Sequence, residues 1–107
     1  MAQSFEVFDG LIDHLPEIPA GSVVTRMIHN SARAKVTVLG FAPGQALTER
    51  SPEQPAILEV WRGDGLVVLD GEAYEVGPGS WAYIEAETPH TIQSKSEMVV
   101  LLTILKP

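Results

Sequence analysis

Few residues in this chain have side chains that could do chemistry, and their types narrow the options at once. There are no cysteines among the 107 residues, which removes disulfides, thiolate metal sites and cysteine nucleophiles together. Any metal ion must then be held by imidazole and carboxylate groups. Of the three histidines, His14 lies in a proline-containing opening stretch, His29 closes an apolar run, and His90 ends the segment V-G-P-G-S-W-A-Y-I-E-A-E-T-P-H that starts at Val76. Only His90 has a setting that positions it. Gly77, Pro78 and Gly79 form a turn, because proline fixes φ and glycine tolerates positive φ. W-A-Y-I then reads as a strand, E-A-E-T-P bends, and His90 opens the next strand, from which its ring can point into a concavity. A lone histidine with no orienting acid at a recognisable spacing is weak evidence for acid–base chemistry, and no nucleophile is identifiable. His90 fits either a ligand contact or a hydrogen-bonded polar residue in a core.

Charge and length exclude several partners. Fourteen acidic against seven basic side chains give a formal charge of −7, which argues against nucleic acid or an anionic membrane surface. A chain of this length is one domain with one core. No apolar stretch approaches the ~20 residues of a membrane-spanning helix. No basic start leads into an apolar run, so a cytoplasmic location is expected.

The elements that must carry His90 are strands. Residues 1–20 contain F-E-V-F-D-G-L-I-D-H-L-P-E-I-P, where Gly10, Pro16 and Pro19 leave room for a short strand and one helical turn. This stretch is read as an arm packed on the domain formed by residues 21–107. From Gly21 the chain becomes a series of short β-branched segments bounded by turn residues: S-V-V-T-R-M-I-H, A-K-V-T-V-L-G-F, Gln45 to Glu49, A-I-L-E-V-W-R, L-V-V-L, E-A-Y-E-V, W-A-Y-I, H-T-I-Q-S and M-V-V-L-L-T-I-L. Asp70-Gly71 between two apolar runs predicts a type I′ hairpin. On the order of eight or more strands in so short a chain imply an all-β sandwich or a small closed barrel.

The run from Phe41 to Leu105 resembles a single-domain cupin of the RmlC-like jelly-roll type, a double-stranded β-helix. The family's two motifs read G-x5-H-x-H-x3–4-E-x6-G and G-x5-P-x-G-x2-H-x3-N. Gly79 and His90 match the second motif with the spacing intact, Gly44 and Gly63 match the ends of the first, and D-G-E-A-Y-E-V-G-P-G-S-W resembles the hairpin between them. In metal-binding members the two histidines and glutamate of the first motif join the late histidine around one divalent ion. Counting back from Gly63, the glutamate falls on Ala56. The two histidines fall on Arg50 and Pro52, or on Glu49 and Ser51 with the longer spacing. The proline, glycine and asparagine of the second motif are Glu85, Glu87 and Ser94. Only His90 of the four metal ligands remains, and a divalent transition metal takes at least three protein ligands. No metal cofactor is therefore expected, and His90 with Glu49 is the pair that would serve if one were bound.

Three functions of different classes follow. The first is a small-molecule-binding barrel without metal, taking a small organic anion between Arg50 and His90, with Glu49 alongside; a guanidinium in a cavity needs a carboxylate partner. Another is a metal-dependent cupin enzyme, of dioxygenase or isomerase type, with an atypical ligand set. The third is an assembly module whose barrel is filled by side chains. Strand parity also bears on partners. If Ala56 faces inward, so do Leu58 and Val60, and Glu59 and Trp61 face out; likewise Ala82 and Ile84 face in, and Trp81 and Tyr83 face out. Three outward aromatic rings on a small acidic protein predict a homodimer through Trp61, Trp81 and Tyr83, unless an arm carrying Phe5 and Phe8 covers them.

Overall fold

The computed structural model describes residues 4–11, 15 and 17–107. Nine strands run through the described residues: β1 (Val23–Asn30), β2 (Ala34–Phe41), β3 (Ala46–Glu49), β4 (Ala56–Arg62), β5 (Gly65–Leu69), β6 (Glu72–Val76), β7 (Trp81–Ile84), β8 (His90–Ser94) and β9 (Met98–Leu105). Each coincides with a segment expected from the sequence. Among the described residues there is no α-helix, and no helix is long and apolar enough to cross a membrane. His14 of the arm lies outside that description.

All pairings are antiparallel. One sheet has the order β1-β2-β9-β4-β7 and the other β3-β8-β5-β6. From β2 onward the chain passes between sheets at every connection except the β5–β6 hairpin, which is the winding of a double-stranded β-helix. That hairpin turns on Asp70 at φ 49° and Gly71 at φ 85°, the two positive φ values a type I′ turn requires. Gly63 turns the chain between β4 and β5 at φ 82°, and a Cβ there would lie 2.0 Å from the carbonyl oxygen of Glu97. Only glycine fits that approach.

The period-two rule places the core between the sheets. Ala56, Leu58 and Val60 of β4 are buried, as are His90, Ile92 and Ser94 of β8, while Thr91 and Gln93 between them face outward. Phe41, Leu58, Ile92 and Met98 are fully buried, each worth about 1.5–3 kcal/mol in transfer from water. Strand β9 breaks the alternation at its start, where Met98, Val99 and Val100 are all buried. The reason is cover on the outer face. Gly40 pairs with Val99, and a Cβ on Gly40 would lie 2.7 Å from Ile18 Cδ1 and 3.0 Å from Leu15 Cδ2. The apolar side chains of Leu15 and Ile18 therefore lie directly on the back of β2.

Candidate functional site

The site is assembled by register. Glu49, the last residue of β3, is the Cα partner of His90, and Leu69 of β5 is the partner on the other side. Residues directly opposite across an antiparallel pair share a face, so Glu49, His90 and Leu69 form one inward row. His90 is 5% exposed. Its Nδ1 lies 3.2 Å from the carbonyl oxygen of Thr88, and because a carbonyl only accepts, the neutral ring carries its proton on Nδ1 and keeps a lone pair on Nε2. Glu49 is exposed and stands at the rim. Among the described residues no hydrogen bond or ion pair reaches its carboxylate.

A cavity of about 320 Å³ opens at this end of the barrel, with Glu49, Ser51, Glu53 and His90 as polar lining and Ala56 and Leu102 among its apolar walls. Arg50 is exposed and is not among the lining residues. The expected Arg50–His90 pair is thus not brought together. The cause is parity: with Glu49 turned inward opposite His90, its neighbour turns out. Glu49 and Ser51 of the longer motif spacing line the cavity, as does Pro52 of the shorter one, while Arg50 does not.

Two ties fix strands β3 and β8 at their opposite ends. The backbone N–H of Glu87 donates to the carbonyl of Pro52 at 2.6 Å, tying the loop before His90 to the loop after β3. Ser94, at the family's asparagine position, is buried; its hydroxyl donates to the carbonyl of Ala42 at 2.6 Å and accepts from the N–H of Gln45 at 3.0 Å. Leu102 and Ile104 supply walls from β9 that sequence reasoning did not single out, because a continuous apolar run carries no parity signal. Gln54 also lines the cavity, and nothing in its sequence context marks it.

The family's metal set does not fit these residues. One imidazole and one rim carboxylate stand side by side, with Ser51 and Ala56 at the remaining ligand positions of the longer spacing. Among the described residues no group of three or more His, Cys, Asp or Glu side chains is placed to hold a metal ion. Elsewhere, Trp81 and Tyr83 face outward as expected and are 59% and 46% exposed. Trp61 also lies on the outer side but is only half-buried rather than free, its Nε1–H donating to Glu59 Oε2 at 3.2 Å.

Comparison with known proteins places this geometry. Residues 37–105 match the family model of the cupin domain, Cupin_2. Among curated relatives, the HTH-type transcriptional activator RhaR of Salmonella arizonae is 35% identical over 72 residues, which are 67% of this chain and 26% of the activator. The protein of the same name from Salmonella newport matches to the same extent. The chain thus spans about a quarter of the length of the curated relatives it matches. Among solved structures, an RmlC-like cupin from Desulfovibrio desulfuricans superposes with a TM-score of 0.78 at 23% identity, covering 98% of this chain and 97% of that one. A conserved protein of unknown function from Streptococcus pyogenes gives 0.81 at 22%, covering 100% and 91%. The salicylate 1,2-dioxygenase of Pseudaminobacter salicylatoxidans gives 0.74 at 15%, covering 88% of this chain and 29% of the enzyme. At these identities the structures speak for the fold alone. With more than half of its length inside the family model and the same barrel recurring in those structures, the chain belongs to the cupin family.

Proposed function

We propose that this barrel is a ligand-sensing module that takes a small, neutral, hydroxyl-bearing organic molecule into the His90 cavity and performs no chemistry on it. The observation that carries the reading is the adjacent pair of His90 and Glu49, which presents two acceptors side by side in one inward row. Nε2 of the neutral ring and the Glu49 carboxylate suit a hydroxyl donor, and Ala56 and Leu102 suit a carbon skeleton. A small organic anion, the class an Arg50–His90 pair would favour, meets Glu49 and Glu53 here with no guanidinium beside them. The similarity to a stretch of a transcriptional activator supports sensing over catalysis. Iron, zinc and manganese are not expected to bind stoichiometrically, since among the described residues no three His or carboxylate side chains are grouped to hold one.

Thermal-shift and NMR titrations with a panel of small polyols and matched carboxylates test this reading. Polyols should perturb the His90 ring resonances and raise the melting temperature, and His90→Ala and Glu49→Gln should each remove the response. Carboxylates that bind, and lose binding in Arg50→Ala, would restore the anion reading. Stoichiometric metal in protein purified without chelator, lost on His90→Ala, would restore the metal-dependent one.

A further inference from the structure

The outer face of β4 and β7 holds a second recess, on the opposite side of the sheet from the His90 cavity. Trp81 is the Cα partner of Glu59, and Trp61 lies two residues beyond Glu59 on the same strand. The β4–β9 ladder slips between Val60 and Arg62. On its other side Val60 bonds to the glycine turn, its N–H donating to the Ser80 carbonyl at 2.9 Å and its carbonyl accepting from the Gly79 N–H at 2.8 Å. Gly79 therefore sits between the two indoles. It holds φ at 90°, and nothing lies within 4 Å of where its Cβ would be, so no side chain fills the space. The result is a groove of about 420 Å³ walled by Trp61 and Trp81, floored by Gly79 and Ser80, and ended by Glu59.

Glu59 is half-buried, and its carboxylate receives the Trp61 N–H. Among the described residues no Lys, Arg or His lies within ion-pair distance of it. We propose that this groove binds an organic ammonium cation. Indole presents the most electron-rich face of any side chain to a cation, and two indoles beside one carboxylate without a counter-ion attract that charge and repel anions. The net charge of −7 raises the local concentration of cations in the same sense. The alkyl groups of an ammonium cation also suit the apolar walls better than a hydrated metal ion would.

Trp61 and Trp81 are the two tryptophans of the chain, so intrinsic fluorescence and the two indole N–H resonances report on this groove, and a response of both indoles separates it from the recess beside Tyr74 and Ala82 that Trp81 alone also lines. The test is a titration of sub-micromolar protein with choline chloride at constant ionic strength, set beside choline's uncharged isostere in which carbon replaces nitrogen. Choline should give a saturable change in the millimolar range, and the isostere should bind about tenfold more weakly. Glu59→Gln keeps an acceptor for the Trp61 N–H and should weaken choline about tenfold, as should Trp81→Ala, whose side chain is mostly exposed and whose loss leaves the core intact. Equal binding of choline and the isostere would reduce the groove to an apolar patch. A response no larger than that of sodium chloride, or an unchanged affinity in a folded Glu59→Gln variant, would overturn the proposal outright.

Discussion

Glu87 holds φ at 63° at a position where the cupin pattern has glycine. The left-handed conformation costs an L-residue about 1–2 kcal/mol, and glycine's extra unfolded-state entropy returns roughly 0.5–1 of that. Glu87→Gly is therefore expected to stabilise the fold by about 0.5–1 kcal/mol in urea titrations, leaving the Pro52 tie intact. A loss of stability would mean that the Glu87 side chain contributes something the backbone argument omits. Gly63→Ala is the opposite case. A methyl group 2.0 Å from the Glu97 carbonyl oxygen at positive φ should cost roughly 3 kcal/mol or more, and a variant with a near-native urea midpoint would contradict the close approach. At this scale the sequence was legible where chemistry is strict and ambiguous where spacing is elastic. Gly63 and the Asp70-Gly71 turn could be read directly, because each needs a conformation few residues adopt. Arg50 and Glu49 could not be separated, since the family's motif admits two spacings and only the β3–β8 ladder decides which residue faces His90.

The inner and outer faces of β4 and β7 could be assigned before any coordinates, by strand parity once Ala56 was set inward. Strand β9 could not be assigned: its eight residues are apolar almost throughout, and its two faces are distinguished only by Leu15 and Ile18 lying behind β2. The slip between Val60 and Arg62 was equally invisible. A repeated local device runs along these strands, an aromatic residue tethered to a glutamate two positions away. Tyr74 donates to Glu72 at 2.9 Å and Tyr83 to Glu85 at 2.7 Å. In each, the hydrogen bond to the carboxylate raises the phenol pKa above its ordinary 10.0, with the negative charge of the same glutamate acting in the same direction. A group whose folded pKa is raised adds its stability below the unfolded pKa and loses it as pH climbs through the folded one. These tethers should thus be intact at neutral pH and release only above about 10. These are the two tyrosines of the chain, so an ultraviolet titration of phenolate formation checks both. A midpoint shifted down in the native chain relative to Glu72→Gln, Glu85→Gln would refute the tethers.

At the scale of the whole molecule the open question is what two copies do with the face that holds Trp81 and Tyr83. The sequence reading counted three free rings, but Trp61 is already half-buried, which leaves two rings about half exposed. Since a large aromatic buries ~150–250 Å² in full, the free parts amount to about 200 Å² per copy. At ~25 cal/mol per Å², two copies gain roughly 10 kcal/mol of gross apolar transfer. Association entropy removes an estimated ~4–15 kcal/mol of it, so a homodimer through this face is expected to be weak, with dissociation in the micromolar range or above. Pairing would also close the Trp61–Trp81 groove. Anything that binds only the open form then pulls the equilibrium toward monomer by mass action. Light scattering across the micromolar range should show a concentration-dependent dimer that choline dissociates and that Trp81→Ala weakens. A native chain that stays monomeric throughout would remove the dimer and leave the groove standing, whereas a dimer indifferent to both choline and Trp81→Ala would place the interface elsewhere. In that second case the arm is the first place to look, because Phe5 and Val7 remain 70% and 80% exposed and no other described element covers them.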